Sequence, residues 1–115
     1  MPGKWTPRHC IYTVDNSARG RSKDLKLIPS ANNTDLLDGF LIFPELLKSA
    51  GYTTCHAGEW HLMNDPLLRG FDVNIGGSHD GFPGSYYPPY KNVPLFPPSD
   101  DYYITNLVMD KARIL

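Results

Sequence analysis

Between Met63 and Pro98 the chain runs "MNDPLLRGFDVNIGGSHDGFPGSYYPPYKNVPLFPP", and this stretch limits the fold more than any other. It holds seven of the 11 prolines and five of the 10 glycines. A proline offers a sheet no N–H and breaks a helix interior, and a glycine weakens both kinds of element. The whole run is therefore expected to be irregular. A loop of that length in a small domain is usually functional or disordered. Phe71, Phe82, Tyr86, Tyr87, Tyr90 and Phe96 favour an ordered loop packed onto something.

Regular structure must then come from the flanks. In "DGFLIFPELLKSAGY" Pro44 suits a first helical turn and Glu45 complements its positive end, while Leu46, Leu47 and Ala50 make a short apolar face. Gly51 follows as a left-handed stop. "YTTCHA" (Tyr52–Ala57) reads as a buried strand entered from that helix. At the tail, Ser99 or Asp100 can cap a helix in which Ile104, Leu107, Val108, Ala112 and Leu115 recur at helical spacing. Asp100 and Asp101 suit its positive end, Lys111 and Arg113 its negative end. Residues 1–35 hold only two short apolar patches, Cys10–Val14 and Leu25–Ile28, which read as short strands or extended loop segments. Helix–strand alternation with no strand after the last helix reads as an incomplete piece of an α/β fold.

The chain has 115 residues, the size of one small domain. A net charge of −1 gives no general pull toward nucleic acid or membrane. The charge is unevenly spread. As far as Ile28, six bases (Lys4, Arg8, Arg19, Arg21, Lys23, Lys26) face only Asp15 and Asp24, which is +4 and leaves −5 for the rest. That head reads as a solvated loop or as an attractor of anions. No apolar run is long enough to span a membrane, and "MPGKWTPRHC" has no apolar signal region. Cys10 and Cys55 form neither a framework nor a metal spacing. They read as small core residues, with a disulfide open to them only in an oxidising compartment. Asn32 opens an N-x-T sequon, which matters only in a secreted eukaryotic protein.

The chemistry concentrates in "GYTTCHAGEWHLM" (Gly51–Met63). After the strand, Gly58 opens a turn of the kind that aims polar side chains into a cleft. His61 falls just past the strand end, where open α/β sheets place their ligand sites. A lone histidine is more often a structural hydrogen-bonder, so the whole pattern matters more than the residue. G-Y-x-T-x-x-A-G-E-W-H-L resembles the second signature of the sulfatase family, G-Y-x-T-x-x-x-G-K-W-H-L-G. It matches at Gly51, Tyr52, Thr54, Gly58, Trp60, His61 and Leu62, and departs at Glu59 (lysine in the family) and Met63 (glycine).

The resemblance runs further. "PGKWTPRHCIYTVDNSARGRSKDLKLIP" resembles the segment after the family's first signature, typically T-G-[KR]-Y-P-x-R-H-G-I-Y. Lys4 and Arg8 fall just after where that signature would end, and read either as holding its turn or as surface charge. "FPELLKSAGYTT" is similar to the helix leading into the second signature. "LLRGFDVNIGGSHDGFPGSYYPPYKN" is similar to the G-F-D turn and aromatic loop of a bacterial-type arylsulfatase branch. Gly3 to Leu115 is covered in this way.

The resemblance implies an α/β piece, residues 1–115, of a sulfatase-type mixed sheet flanked by helices, within the alkaline phosphatase superfamily. It implies sulfate-ester hydrolysis with a formylglycine nucleophile made in a C-x-P-S-R context and with Ca2+ on the sulfate. Substrates would be sulfated small molecules or glycans, and the compartment periplasmic, secreted or lysosomal. His61 matches the histidine that orients or deprotonates the formylglycine hydroxyl. Glu59 stands at the lysine position, where a carboxylate repels sulfate oxygens and is expected to be non-functional. His79 in "GGSHDGFPGSYY" is the weaker, substrate-binding candidate, with Tyr86 and Tyr87 able to line a sugar or aryl site; the bland alternative is a loop histidine bonded within its own turn. Neither Cys10 nor Cys55 lies in the nucleophile context, and no acidic pair precedes Gly3 or follows downstream, so this chain is expected to hold neither cofactor. Two readings follow: an internal fragment of an arylsulfatase-like enzyme, inactive by itself, or a truncated or diverged homologue serving as a binding or interaction module.

Overall fold

The computed structural model describes residues 3–14, 20–62 and 65–115, in two compact units, one up to Leu41 and one from Ile42 to Leu115. Met63, the second departure from the signature, lies outside the described residues, as do Asp15 and Arg19 of the basic head.

In the first unit a single helical turn, α1 (Thr6–His9), carries a proline in its first turn, where a missing N–H costs nothing. It stops at Cys10, whose φ of 56° is left-handed and whose N–H donates to Thr6 O. The described segment after it, Ile11 to Val14, bends at Thr13 and Val14 and joins no strand. Asn32 takes a strand's place: its Oδ1 accepts from Tyr12 N–H (2.6 Å) and Thr13 N–H (3.2 Å), and its Nδ2 donates to Thr13 O (3.0 Å). Asn33 N–H donates to Cys10 O (2.7 Å). Both faces of the sequon amide are thus engaged in the fold. Leu27 and Ile28 are exposed, and Leu25–Ile28 is loop. Arg21 pairs with Asp24 at 3.1 Å in the open, a contact of little energetic weight. Lys4 and Arg8 are exposed.

The second unit contains α2 (Phe43–Ser49), β1 (Cys55–Ala57), a 3-10 turn (Pro66–Arg69), β2 (Val73–Ile75) and α3 (Ile104–Arg113). β1 and β2 pair in parallel, Cys55 opposite Val73 and Ala57 opposite Ile75, and α3 lies against both. The class is α/β, as expected. The core gathers Ile42, Trp60, Phe71, Ile75, Ile104 and Leu107.

Four sequence expectations need correction. The run from Met63 to Pro98 is not wholly irregular, because it contains β2 and the 3-10 turn. Val73 and Ile75 are β-branched, and pairing with β1 supplies what local composition withholds. The strand in Tyr52–Ala57 is shorter and less buried than expected. Thr54 is the buried residue, while Cys55 and Ala57 are exposed, so Cys55 is no core residue. On α2, Leu46, Leu47 and Ala50 face outward, and Ile42 and Pro44 are buried instead. Lastly, α3 begins after Tyr103 rather than at a Ser99 or Asp100 cap; Ser99 Oγ instead donates to Asp101 Oδ1 (2.7 Å).

The reason α2 is attached by its N-terminus lies in "LRGFD". Glu45 reaches back to accept from Ile42 N–H (2.8 Å) and also meets Arg69 Nε at 3.4 Å, with the Arg69 side chain buried. Gly70 has φ 83°, and a Cβ there would sit 2.6 Å from Glu45 N, so only glycine lets the two segments touch. Gly51, at φ 86°, ends the helix as expected, with Tyr52 N–H donating to Leu47 O (3.0 Å). Lys48 then pairs with Asp72 at 2.7 Å, which ties the helix to the entrance of β2.

Candidate functional site

Parallel pairing brings the C-terminal ends of β1 and β2 to one side, and the loops that leave them are stitched together. Gly58 N–H donates to Ile75 O (2.9 Å), and His61 N–H donates to Ser78 O (3.0 Å). Glu59, His61, Ser78, His79 and Asp80 therefore collect at the strand ends, the usual ligand position of an open α/β sheet.

Trp60 and His61, neighbours in the signature turn, go different ways. Trp60 is buried and packs edge-on against His56 (5.2 Å between ring centres) and Phe71 (5.7 Å), with His56 and Phe71 at 5.4 Å. His56 Nε2 lies 3.1 Å from Gly58 O; a carbonyl only accepts, so Nε2 carries the proton. This aromatic trio fixes the turn from beneath. His61 takes a left-handed backbone conformation (φ 57°), a strain of order 1–3 kcal/mol for a non-glycine residue. Its Nδ1 is 3.4 Å from Glu59 Oε1, and its ring is about one-third exposed. Gly81 backs the ring so closely that a Cβ at that position would lie 2.3 Å from Nδ1 and Cε1.

Beside this turn is a cleft of about 300 Å³ lined by Glu59, Ser78, Asp80, Phe82, Tyr86 and Thr105, among others. Glu59 and Gly81 line it, and both touch His61, which stands just outside the lining. His79 is exposed with Nε2 3.7 Å from Asp80 Oδ2, and it too is outside the lining. Tyr86 lines the cleft, whereas Tyr87 lies against Tyr103 (5.5 Å). Sequence reading gave no site role to Ser78, Asp80, Phe82 or Thr105. The glycines around the first three were the signal available, and Thr105 had none because α3 is distant in sequence.

The aromatic loop is ordered by α3. Tyr86 stacks on Tyr103 (5.9 Å), and Ile104 N–H donates to Tyr86 O (3.0 Å). Tyr90 Oη donates to Tyr102 O (2.5 Å), and Tyr102 Oη donates to Asp110. The bond to Asp110, then burial, hold the Tyr102 phenol above its ordinary value of 10.0. Burial raises Tyr90 in the same direction.

Formylglycine and Ca2+ do not fit the residues described. Among them, no group of three or more His, Cys, Asp or Glu side chains is disposed to hold a metal ion. Cys10 serves as a helix stop and Cys55 as an exposed strand residue, both free. Among the described residues no helix is long and apolar enough to cross a membrane.

No family model matches the chain. It is, however, similar to the N-acetylgalactosamine-6-sulfatase of Mus musculus, 32% identical over 96 residues, covering 80% of this chain and 16% of that protein. The Homo sapiens protein of the same name is 30% identical over the same length. The N-acetylglucosamine-6-O-sulfatase of Bacteroides thetaiotaomicron is 38% identical over 77 residues, 61% of this chain and 12% of that one. The chain thus spans less than a fifth of the length of the curated relatives it matches. Similarity to sulfatases from a mammal and a bacterium, over most of the chain and in company with the G-x-W-H-L turn, has one economical explanation: over this span the chain belongs to the sulfatase family.

Proposed function

We propose that the chain is the second-signature segment of a sulfatase whose parent chemistry is hydrolysis of sulfate esters. The observation that carries this reading is sequence similarity to sulfatases over 80% of the chain, joined to a signature turn whose residues collect at the ends of two parallel strands. Both kinds of relative are named for 6-sulfated N-acetylhexosamines, which makes a sulfated amino sugar in a glycan the substrate class. His61 is the residue of this segment that handles a proton, and His79, on the neighbouring loop, is the weaker substrate contact.

The segment is inactive alone. Among the described residues no group of three or more His, Cys, Asp or Glu side chains is disposed to hold calcium, and neither cysteine lies in a C-x-P-S-R context. Glu59 adds an electrostatic obstacle. At an effective dielectric near 20, a carboxylate about 4 Å from a sulfate oxygen is repelled by roughly 4 kcal/mol, where lysine would be attracted by as much. The outward face of α2, with Phe43, Leu46 and Leu47 exposed, and the exposed Tyr52 just beyond it support the reading that further sulfatase structure covers this piece. An assay of the purified 115-residue chain on a generic aryl sulfate with Ca2+ is expected to show no turnover. Calcium-dependent turnover would overturn the inactive reading.

A second reading is favoured by Glu59 itself: a diverged, non-catalytic homologue acting as a binding module. Truncation alone has no need to reverse a charge in the signature. Sequencing the flanking DNA separates the two. An in-frame C-x-P-S-R upstream supports the enzyme segment, and its lack in every frame supports the diverged homologue.

A further inference from the structure

We propose that Glu59 is the positioning residue of His61, an acceptor that holds the imidazole with Nδ1 protonated and Nε2 left as the basic nitrogen. This rests on the reading of His61 as the proton-handling residue and assigns Glu59 a task different from that of the family's lysine.

Three contacts converge on His61. Its backbone is pinned in the left-handed region by the bond from its N–H to Ser78 O (3.0 Å). Gly81 closes off one edge of the ring, so the imidazole cannot swing that way unless Gly81 moves. Glu59 Oε1 stands 3.4 Å from Nδ1, the nitrogen on that same edge. This is longer than a formed hydrogen bond, and the Glu59 side chain, 62% exposed, is free to close it by rotation. A carboxylate only accepts, so the contact selects the tautomer with hydrogen on Nδ1, the one free histidine disfavours. Among the described residues Nε2 makes no hydrogen bond, which leaves it available to take a proton. A lysine at position 59 reverses this logic. An ammonium only donates, and beside Nδ1 it favours a bare Nδ1 and a protonated Nε2.

The test reads the tautomer directly and needs no turnover, so it can fail independently of any sulfatase assay. Long-range proton–nitrogen correlation spectra of the 15N-labelled full chain are recorded near pH 8.5, roughly two units above the ordinary histidine value. The expected result is Nδ1–H at His61. Glu59→Ala and Glu59→Lys shift the ratio several-fold toward Nε2–H, while Glu59→Gln, which keeps an acceptor oxygen, retains Nδ1–H. His79 supplies an internal control, since its contact is with Asp80 and its tautomer is expected to stay constant across the series. Unchanged ring-shifted resonances of Trp60, His56 and Phe71 show that each variant keeps the turn folded. Nε2–H as the major form in the wild-type chain overturns the proposal. So does a His61 ratio indifferent to Glu59→Ala, or a Gln variant that behaves like Ala.

Discussion

Thr54 and Asp72 bind each other in both directions. Thr54 N–H donates to Asp72 Oδ2 (3.0 Å), and Asp72 N–H donates back to Thr54 O (2.8 Å). The Thr54 hydroxyl lies 2.6 Å from Gly70 O and 3.0 Å from Asp72 Oδ2, and its single proton serves one of them at a time. This clasp sets the parallel register of β1 and β2, and with it the placement of the loops that carry His61 and Asp80. Because Thr54 is buried, Thr54→Val keeps the shape but strands polar partners. The expected cost is about 1–3 kcal/mol, read from the urea midpoint.

Asp72 makes the clasp sensitive to acid. Lys48, then the bonds from Thr54, lower its carboxyl from 3.8 to about 2. A carboxyl with a depressed folded value contributes stability that is fully present above pH 3.8 and lost as pH falls through about 2. Thermal midpoints of the wild-type chain and Asp72→Asn are therefore expected to differ at pH 6 and to converge between roughly pH 4 and 2. A constant gap across that range would show that the charge of Asp72 is not what matters.

Gly70→Ala is expected to be among the most damaging small substitutions. The left-handed backbone alone costs an alanine about 1–2 kcal/mol, and the added methyl meets Glu45 backbone at 2.6 Å. Both α2 and the Arg69–Glu45 contact should loosen, visible as lost helical signal in circular dichroism and a lower urea midpoint. Gly51→Ala, where nothing lies within 4 Å, is expected to lose only the conformational part.

Gly81→Ala tests the wall behind His61. Its methyl would lie 2.3 Å from the ring, so the imidazole must leave its present position. The His61 ring resonances are expected to move more than those of Trp60 and Phe71, because the atoms nearest the new methyl all belong to His61.

At high pH the joint between the aromatic loop and α3 should weaken. Tyr102 has its phenol raised above 10.0, chiefly by Asp110, so it contributes stability below pH 10 that is lost as pH rises through the higher folded value. Absorbance titration should show Tyr102 and Tyr90 ionising late, and Asp110→Asn should bring Tyr102 back toward 10.

Some of the structure was legible because its causes are local. Pro44, Glu45 and Gly51 state a helix start and stop by backbone geometry alone, and α2 is found between them. The apolar spacing of Ile104 and Leu107 locates α3 and its buried face. β2 was missed because Val73–Ile75 is three residues long and surrounded by glycine and proline; only a partner strand 18 positions earlier makes it a strand. Leu46 and Leu47 misled for a related reason. A helix's apolar face says that something covers it, and in this unit the helix is held by Glu45 and Lys48 at polar contacts instead.

By itself the sequence determined the ancestry of the chain and the identity of its working turn, since G-E-W-H-L is a covalent order that no packing alters. It also determined that a carboxylate replaces the family's cation at position 59. Tertiary structure alone decided what that carboxylate meets. In an extended strand Glu59 and His61, two residues apart, would share a face but stand roughly 6–7 Å apart along it. The left-handed backbone at His61, the bond to Ser78 and the bare α-carbon of Gly81 turn the imidazole until Nδ1 faces Glu59. Two of these constraints, the bond to Ser78 and the wall at Gly81, come from a loop 17 to 20 residues downstream, positioned by strand pairing, and proximity in space is what gives the pair its chemistry.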